Sequence, residues 1–336
     1  MEPHFSLKKY NSFGIDCVAE NFTAAKSIDD LKEYLQWSEK QKLPTLILGG
    51  GSNVLFTKNV EGLVIRNELT GIEKITEDES HVYLRVGAGE VWHQFVLYCL
   101  KNNYAGVENL ALIPGSVGAS PMQNIGAYGV EMKEVFYELT ALHRSTLEVQ
   151  KFSKDDCAFG YRDSVFKSKF KNEFVIMDVT YKLNKTPRFN IAYGAIKQQL
   201  EAEGTKELSI QEVAKAVMAI RTSKLPDPAK LGNAGSFFKN PSVTKDQFEN
   251  LKRNFPEIVA YENEDGTMKL AAGWMIDRCG LKGFRLGDAG VHEKQALVLV
   301  NYGHATGKDI EDLCHYVQNR VRETFDVILH PEVNIY

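Results

Sequence analysis

Apolar residues recur at helical spacing at Ile28, Leu31, Tyr34 and Leu35, which predicts an amphipathic helix from Ile28 to Lys42. Pro44 then opens a continuous apolar run, Thr45 to Leu48, which reads as a buried strand ending at Gly49. Leu63-Val64-Ile65 is a second strand-like stretch, and Val82 to Gly89 alternates with a period of two. Val91 to Lys101 puts Trp92, Phe95, Val96 and Cys99 on one face of a helix. Alternation returns over 135–152, and Phe174 to Leu183 is a further strand. The first half is therefore mixed, with many short strands among a few helices.

The pattern becomes helical over 193–221, above all from Ser209 to Arg221, where Ser209-Ile210-Gln211-Glu212 offers a capping box. Pro226 and Pro228 end that helix, and the main domain boundary is expected near residue 205. Beyond it the pattern predicts a glycine turn at Gly232 to Ser236 and a helix at Lys245 to Asn254. A polar loop at Glu262 to Thr267 and a short helix near Trp274 to Arg278 follow. The chain then reads as a strand at Ala296 to Asn301, a helix at Lys308 to Thr324 and a last strand at Val327 to Tyr336.

Two glycine-rich stretches interrupt this pattern. One is Gly49-Gly50-Gly51-Ser52-Asn53; the other runs Ile113-Pro114-Gly115-Ser116-Val117-Gly118-Ala119 and on through Gln123-Asn124-Ile125-Gly126-Ala127-Tyr128-Gly129. Neither is a standard nucleotide loop. GxGxxG would need glycine where Val54 stands, and no GxxxxGK[ST] run occurs. The first stretch also leads from a strand into more extended chain, whereas a Rossmann loop leads into a helix. Both nevertheless have the chemistry of an anion cradle, because glycine lets successive N–H groups converge on phosphate oxygens. Two such turns point to a diphosphate held between loops.

Composition narrows the class. The chain has 336 residues and a formal net charge of −4, ordinary for a globular protein and unlike a general nucleic-acid binder. Its five cysteines are widely spaced with no CxxC, so they read as free thiols in a reducing compartment, with no metal site. No apolar run is long enough to span a bilayer, and the opening residues show no signal pattern. A cytoplasmic protein acting on a small molecule, with no nucleic-acid or membrane partner, is expected, as a monomer.

Three segments are dense in reactive residues: Tyr161-Arg162-Asp163-Ser164, Gly232 to Pro241 around Ser236, and His330-Pro331-Glu332-Val333. Each is ambiguous alone. Arg162 beside Asp163 reads as a surface ion pair or as a catalytic cation. Ser236 reads as a turn residue or as a proton donor, and no Gly-x-Ser-x-Gly elbow makes it a nucleophile. Glu332 reads as a solvated strand residue or as part of a site.

Together, in their order along the chain, these segments and Ala271-Ala272-Gly273-Trp274-Met275-Ile276-Asp277 resemble the UDP-N-acetylenolpyruvoylglucosamine reductase (MurB) family. The resemblance covers nearly the whole chain. It implies an α+β fold of the PCMH (vanillyl-alcohol-oxidase) type, with two FAD-binding subdomains and a C-terminal α/β substrate domain. The implied division is 1–66 (the terminal strand 327–336 returning to it), 67–205 and 206–326. The tyrosine-bearing segment around Tyr193 and the insertion from Val243 to Lys269 place the chain in the form with a tyrosine loop and an extra βαββ element.

The family further implies non-covalent FAD as cofactor, NADPH as co-substrate and an enolpyruvyl UDP-sugar as substrate. Gly49, Gly50, Gly51, Ser52, Asn53, Pro114, Gly115, Ser116, Gly118, Ala119, Gln123, Asn124, Gly126, Ala127, Tyr128 and Gly129 would then bind the cofactor. Arg162, Ser236 and Glu332 would be catalytic: Arg162 on the substrate carboxylate, Ser236 as proton donor, and Glu332 orienting Arg162 or donating a hydrogen bond if protonated. Tyr193, Lys224, Asn240, Tyr261, Lys269 and Gln295 would touch substrate. The competing readings are a flavin oxidase of the same superfamily, which would not need the Ser236 segment, and a silent flavin or sugar-nucleotide binding module, in which substituting Arg162 or Glu332 would change nothing but stability.

Overall fold

The computed structural model describes all 336 residues, which divide by their contacts into two compact units. Met1–Phe5, Ala19–Gly51 and Val60–Ser223 form the first; Ser6–Val18, Ser52–Asn59 and Lys224–Tyr336 form the second.

The first unit contains two sheets. One has the strand order Glu2–Ser6, Val18–Ala25, Val60–Asn67, Thr45–Leu48, with the last three mutually parallel. The helix Ile28–Lys40 starts at a reciprocal cap between Ser27 and Asp30 and buries Leu31 and Leu35 with Leu63 and Ile65 of that sheet. The other sheet is antiparallel, in the order Val149–Ser153, Phe136–His143, Phe174–Asn184, His81–Gly87, Ile72–Glu77. The helix Trp92–Lys101 lays Trp92, Phe95, Val96 and Cys99 into the core beside Tyr181, the apolar face read from the sequence. Burial of each such large side chain is worth about 1.5–3 kcal/mol.

The helix Ile210–Lys224 also belongs to this core through Ile210, Ala214, Val217 and Ile220. The division between the units therefore falls at the end of this helix, between Ser223 and Lys224, whereas the sequence pattern predicts a boundary near 205. Prolines and polar stretches mark breaks in the chain, but buried faces decide which unit a helix joins.

The second unit is built on an antiparallel sheet in the order Gly232–Ser236, Val298–Asn301, Ala289–Val291, Arg285–Leu286. The helix Gly307–Phe325 is capped by Thr306 and Asp309 and buries Ile310, Leu313, Val317 and Val321. Strand Ser242–Val243, helix Lys245–Asn254 and strands Ala260–Glu262 and Met268–Leu270 form the β-α-β-β element, whose three strands make one antiparallel sheet.

Two local expectations are corrected here. Gly232–Ser236 is a strand with a register break between Asn233 and Ser236, where Gly235 takes φ +71°, and not a turn. The last strand is only Asn334–Ile335, parallel to Val54–Leu55, with Pro331 making an isolated bridge to Phe238. A proline offers no N–H to a ladder, so a strand cannot run unbroken through position 331. No helix is long and apolar enough to cross a membrane.

Candidate active site

The first glycine stretch leaves the strand Thr45–Leu48 and meets the second within the first unit. A Cβ on Gly50 would lie 3.0 Å from the Gly115 Cα, and one on Gly49 would lie 2.6 Å from Ser116 Oγ. At position 50 glycine is thus required by the close approach of two backbones, and at position 49 by the Ser116 hydroxyl. Further along, amides are already spent: Val117 donates to Glu90, Gly118 to Ala88 and Ala119 to Ser116. The amides of Gly50, Gly51, Gly115 and Ser116 make no hydrogen bond to a main-chain carbonyl. These unspent donors, beside glycines with no room for a side chain, fit a diphosphate.

The approach to this cradle is held by a residue that the sequence did not single out. His93 Nδ1 accepts the Leu112 N–H at 3.1 Å, which fixes Leu112 at φ +57° just before Ile113 and Pro114. Burial lowers the His93 pKa, and the nearby Arg221 charge lowers it further, so the neutral ring is the acceptor. Arg221 hydrogen-bonds Tyr128, is itself pushed down by burial, and leaves its Nε buried with no partner. The nearest sequence signal for this pair was only an arginine at a helix end. An unsatisfied buried donor near the cradle also suits a polar ligand such as FAD.

Residues 126–131 form a hairpin of Gly126–Ala127 with Val130–Glu131, whose two turn residues, Tyr128 and Gly129, both have positive φ. Asn109 Nδ2 holds the Tyr128 carbonyl at 3.1 Å, and Asn190 Nδ2 holds that of Gly129 at 2.9 Å. Tyr193, exposed at the start of the helix Gly194–Ala202, packs edge-on to Tyr128 with centroids 5.4 Å apart. Gln123 accepts from Lys167 Nζ at 3.3 Å. Arg162 sits here too, its Nη2 donating to the Gly126 carbonyl at 2.5 Å and its guanidinium 5.3 Å from the Tyr161 ring centroid.

Ser236 and Glu332 belong to the second unit. Ser236 is exposed, while the next two residues, Phe237 and Phe238, are buried in the core. The Phe237 amide donates to Leu297 at 2.7 Å; the Phe237 carbonyl accepts from the Glu332 amide at 2.7 Å; the Lys239 amide donates to His330 at 2.9 Å. These bonds bring the segments of Ser236 and Glu332 together although 95 residues lie between them in the sequence. Asn53 Nδ2 donates to the Glu332 carbonyl at 3.2 Å, and the Asn334 amide returns to Asn53 at 3.1 Å. Ser52 lies in the same segment of this unit.

The expected substrate contacts of the second unit fall into groups. Tyr261 and Lys269 face each other across antiparallel strands. Asn240 Oδ1 accepts the Ala272 amide at 3.0 Å, and Gln295 Oε1 lies 3.4 Å from where a Cβ on the neighbouring Gly273 would be. Lys224 closes the helix Ile210–Lys224 and is exposed. Burial pushes the thiols of Cys17, Cys157 and Cys314 up to about 12, so none of these is a ready nucleophile. No group of three or more His, Cys, Asp or Glu residues is placed to hold a metal ion.

Comparison with known proteins adds the wider context. Residues 227–336 match the model of the UDP-N-acetylenolpyruvoylglucosamine reductase C-terminal domain, and residues 19–145 match that of an FAD-binding domain. The UDP-N-acetylenolpyruvoylglucosamine reductase of Flavobacterium johnsoniae is 48% identical over 336 residues, covering 100% of this chain and 99% of that protein. The namesake of Pseudomonas syringae pv. syringae is 49% identical over 331 residues, 98% of this chain and 97% of the relative. The crystal structure of UDP-N-acetylenolpyruvylglucosamine reductase (MurB) from Thermus caldophilus superposes with a TM-score of 0.68 over 99% of this chain and 97% of that one, at 24% identity. That likeness speaks to the fold, which is the α+β FAD-binding type.

Proposed function

The chain belongs to the UDP-N-acetylenolpyruvoylglucosamine reductase family, and from that premise we propose that it reduces the enolpyruvyl group of UDP-N-acetylglucosamine enolpyruvate to the lactyl ether of UDP-N-acetylmuramate. The step belongs to peptidoglycan precursor synthesis, uses non-covalent FAD and takes its electrons from NADPH. The enzyme works in the cytoplasm as a monomer. One observation carries the reading: a free-standing serine hydroxyl and a carboxylate are held on adjoining segments by the Glu332–Phe237 bond.

The glycine cradle and its unspent amides would hold the FAD diphosphate. Bound FAD supplies hydride chemistry through its reduced isoalloxazine. Addition at the substrate β-carbon is favoured because the conjugated carboxylate takes up the charge as an enolate. Arg162 meets that carboxylate with a planar fork of donors. Its arrangement is preorganised, so little reorganisation is needed as charge develops. Glu332 shares the task as a hydrogen-bonding group, and Ser236 protonates the α-carbon. Lys224 and Lys269 bind the substrate diphosphate; Asn240, Tyr261 and Gln295 make polar contacts, and Tyr193 closes over the substrate.

Anaerobic stopped-flow tests the proposal. The yellow protein should bleach with NADPH and regain colour only when the enolpyruvyl sugar nucleotide is added. Failure to bleach with NADPH would remove it as the electron source. Recovery equally fast with oxygen alone would indicate an oxidase.

A further inference from the structure

Arg162 occupies a backbone position that side chains disfavour. It has φ +54°, and of the two central residues in the turn Gly160–Asp163 it alone is positive. Glycine or asparagine ordinarily fills that place. The turn's own closure is modest: the Gly160 amide reaches Asp163 at 3.1 Å, but the Asp163 amide reaches Gly160 only at 3.4 Å. A conformation that costs energy persists only where its surroundings over-determine it.

Asn124 is the main determinant. It is fully buried, and itself lies at φ +43°. One Nδ2 hydrogen goes to the Gly160 carbonyl at 3.0 Å, and the other to Glu131 Oε2 at 2.9 Å. Its Oδ1 accepts the Lys133 amide at 3.1 Å. Both donors are thus consumed inside the protein, so the side chain has none to offer a cofactor. Two residues later, the Gly126 carbonyl takes the Arg162 guanidinium. Behind the turn, Ser164 Oγ donates to the Met122 carbonyl at 2.8 Å. The turn carrying Arg162 is therefore fastened to residues 122–126 at its first carbonyl, at its guanidinium and behind it.

We propose that Asn124 is the positioning residue of Arg162: it locks the Gly160 and Gly126 carbonyls into one frame, so that the guanidinium is aimed before substrate arrives. The inference rests on the role given to Arg162 above.

A double-mutant cycle tests it. Asn124→Gly keeps the positive φ without strain and deletes only the side chain. Enzyme-bound FAD is reduced with dithionite, and its reoxidation by the enolpyruvyl nucleotide is followed in single turnovers. Asn124→Gly should slow reoxidation by on the order of 10- to 100-fold. FAD retention and flavin reduction by NADPH should stay close to wild type, while the thermal midpoint falls, because three buried hydrogen bonds are lost. In an Arg162→Ala background the same change should add almost nothing. A full multiplicative effect in that background, or loss of flavin in step with rate, would make Asn124 a loop brace only and overturn the inference. If Arg162→Ala leaves reoxidation intact, the role of Arg162 is wrong and the inference falls with it. If Arg162→Ala is slow and Asn124→Gly is not, only the positioning role fails. Should Asn124→Gly not fold, Asn124→Asp keeps the shape and the acceptor but loses both donations, and the same outcomes decide.

Discussion

The main-chain amide of Glu332 donates to the carbonyl of Phe237 over 2.7 Å. That bond ties the carboxylate's segment to the residue following Ser236, with Phe237 buried beneath as an anchor. Ser236 itself follows a register break at Gly235, and such bulges re-aim side chains. The hydroxyl is thus presented from a strand whose position the core dictates.

Ser236→Ala should leave flavin reduction by NADPH nearly intact and slow reoxidation by the enol ether by about 10²–10⁴-fold, the usual worth of a placed acid. Stopped-flow measurement of the two half-reactions separates them. Equal losses in both would count against a proton donor.

Gly50→Ala should weaken FAD binding and lower stability by about 1–3 kcal/mol, since its Cβ meets Gly115 backbone at 3.0 Å and backbone cannot swing aside. Gly194→Ala is the matched control. Nothing lies within 4 Å of its Cβ, so the change should be neutral or stabilising by about 0.5–1 kcal/mol. Flavin titration and thermal melts of the apoprotein check both.

Acidification should loosen the cradle through His93. Its folded-state pKa lies below the ordinary 6.5, chiefly from burial. The stabilisation from the Leu112 bond is therefore complete above the unfolded-state value and is lost as pH falls through the lowered folded-state value. The melting temperature and FAD affinity should both fall between neutral and mildly acid pH, and His93→Gln should flatten that part of the dependence. An unchanged pH profile in the variant would exclude His93 as the titrating group.

Arg221→Met should weaken FAD binding while leaving the apoprotein as stable as before, or more so, because it removes a half-buried charge whose Nε is unpartnered. Calorimetric titration of FAD into each apoprotein, with melts alongside, reads both quantities. Undiminished affinity would place Arg221 outside the cofactor site.

Much of the fold was legible where local signals agreed. The helices at 28–40, 92–101 and 245–254 carry clear apolar faces, and two of them begin at reciprocal caps. The βαββ element was also visible as an insertion between Val243 and Lys269. The site was legible as motifs rather than as geometry. Asn124 stood inside a glycine-rich motif, which suggested a cofactor contact; only its burial and its donation to the Gly160 carbonyl tie it to the turn of Arg162. His93 and Arg221 had no motif at all.

The sequence by itself determined the period of each element, the positions where glycine is indispensable, and the family to which the chain belongs. These are local or near-local properties, written in neighbouring residues and in steric demands that one residue type meets. Tertiary structure decided that the helix Ile210–Lys224 joins the first core, that Gly232–Ser236 is a bulged strand, and that Asn53 reaches Glu332. Each of those outcomes depends on hydrogen bonds and buried surface shared by residues far apart in the chain. Such energies exist only once the whole chain has folded, so no local pattern could encode them.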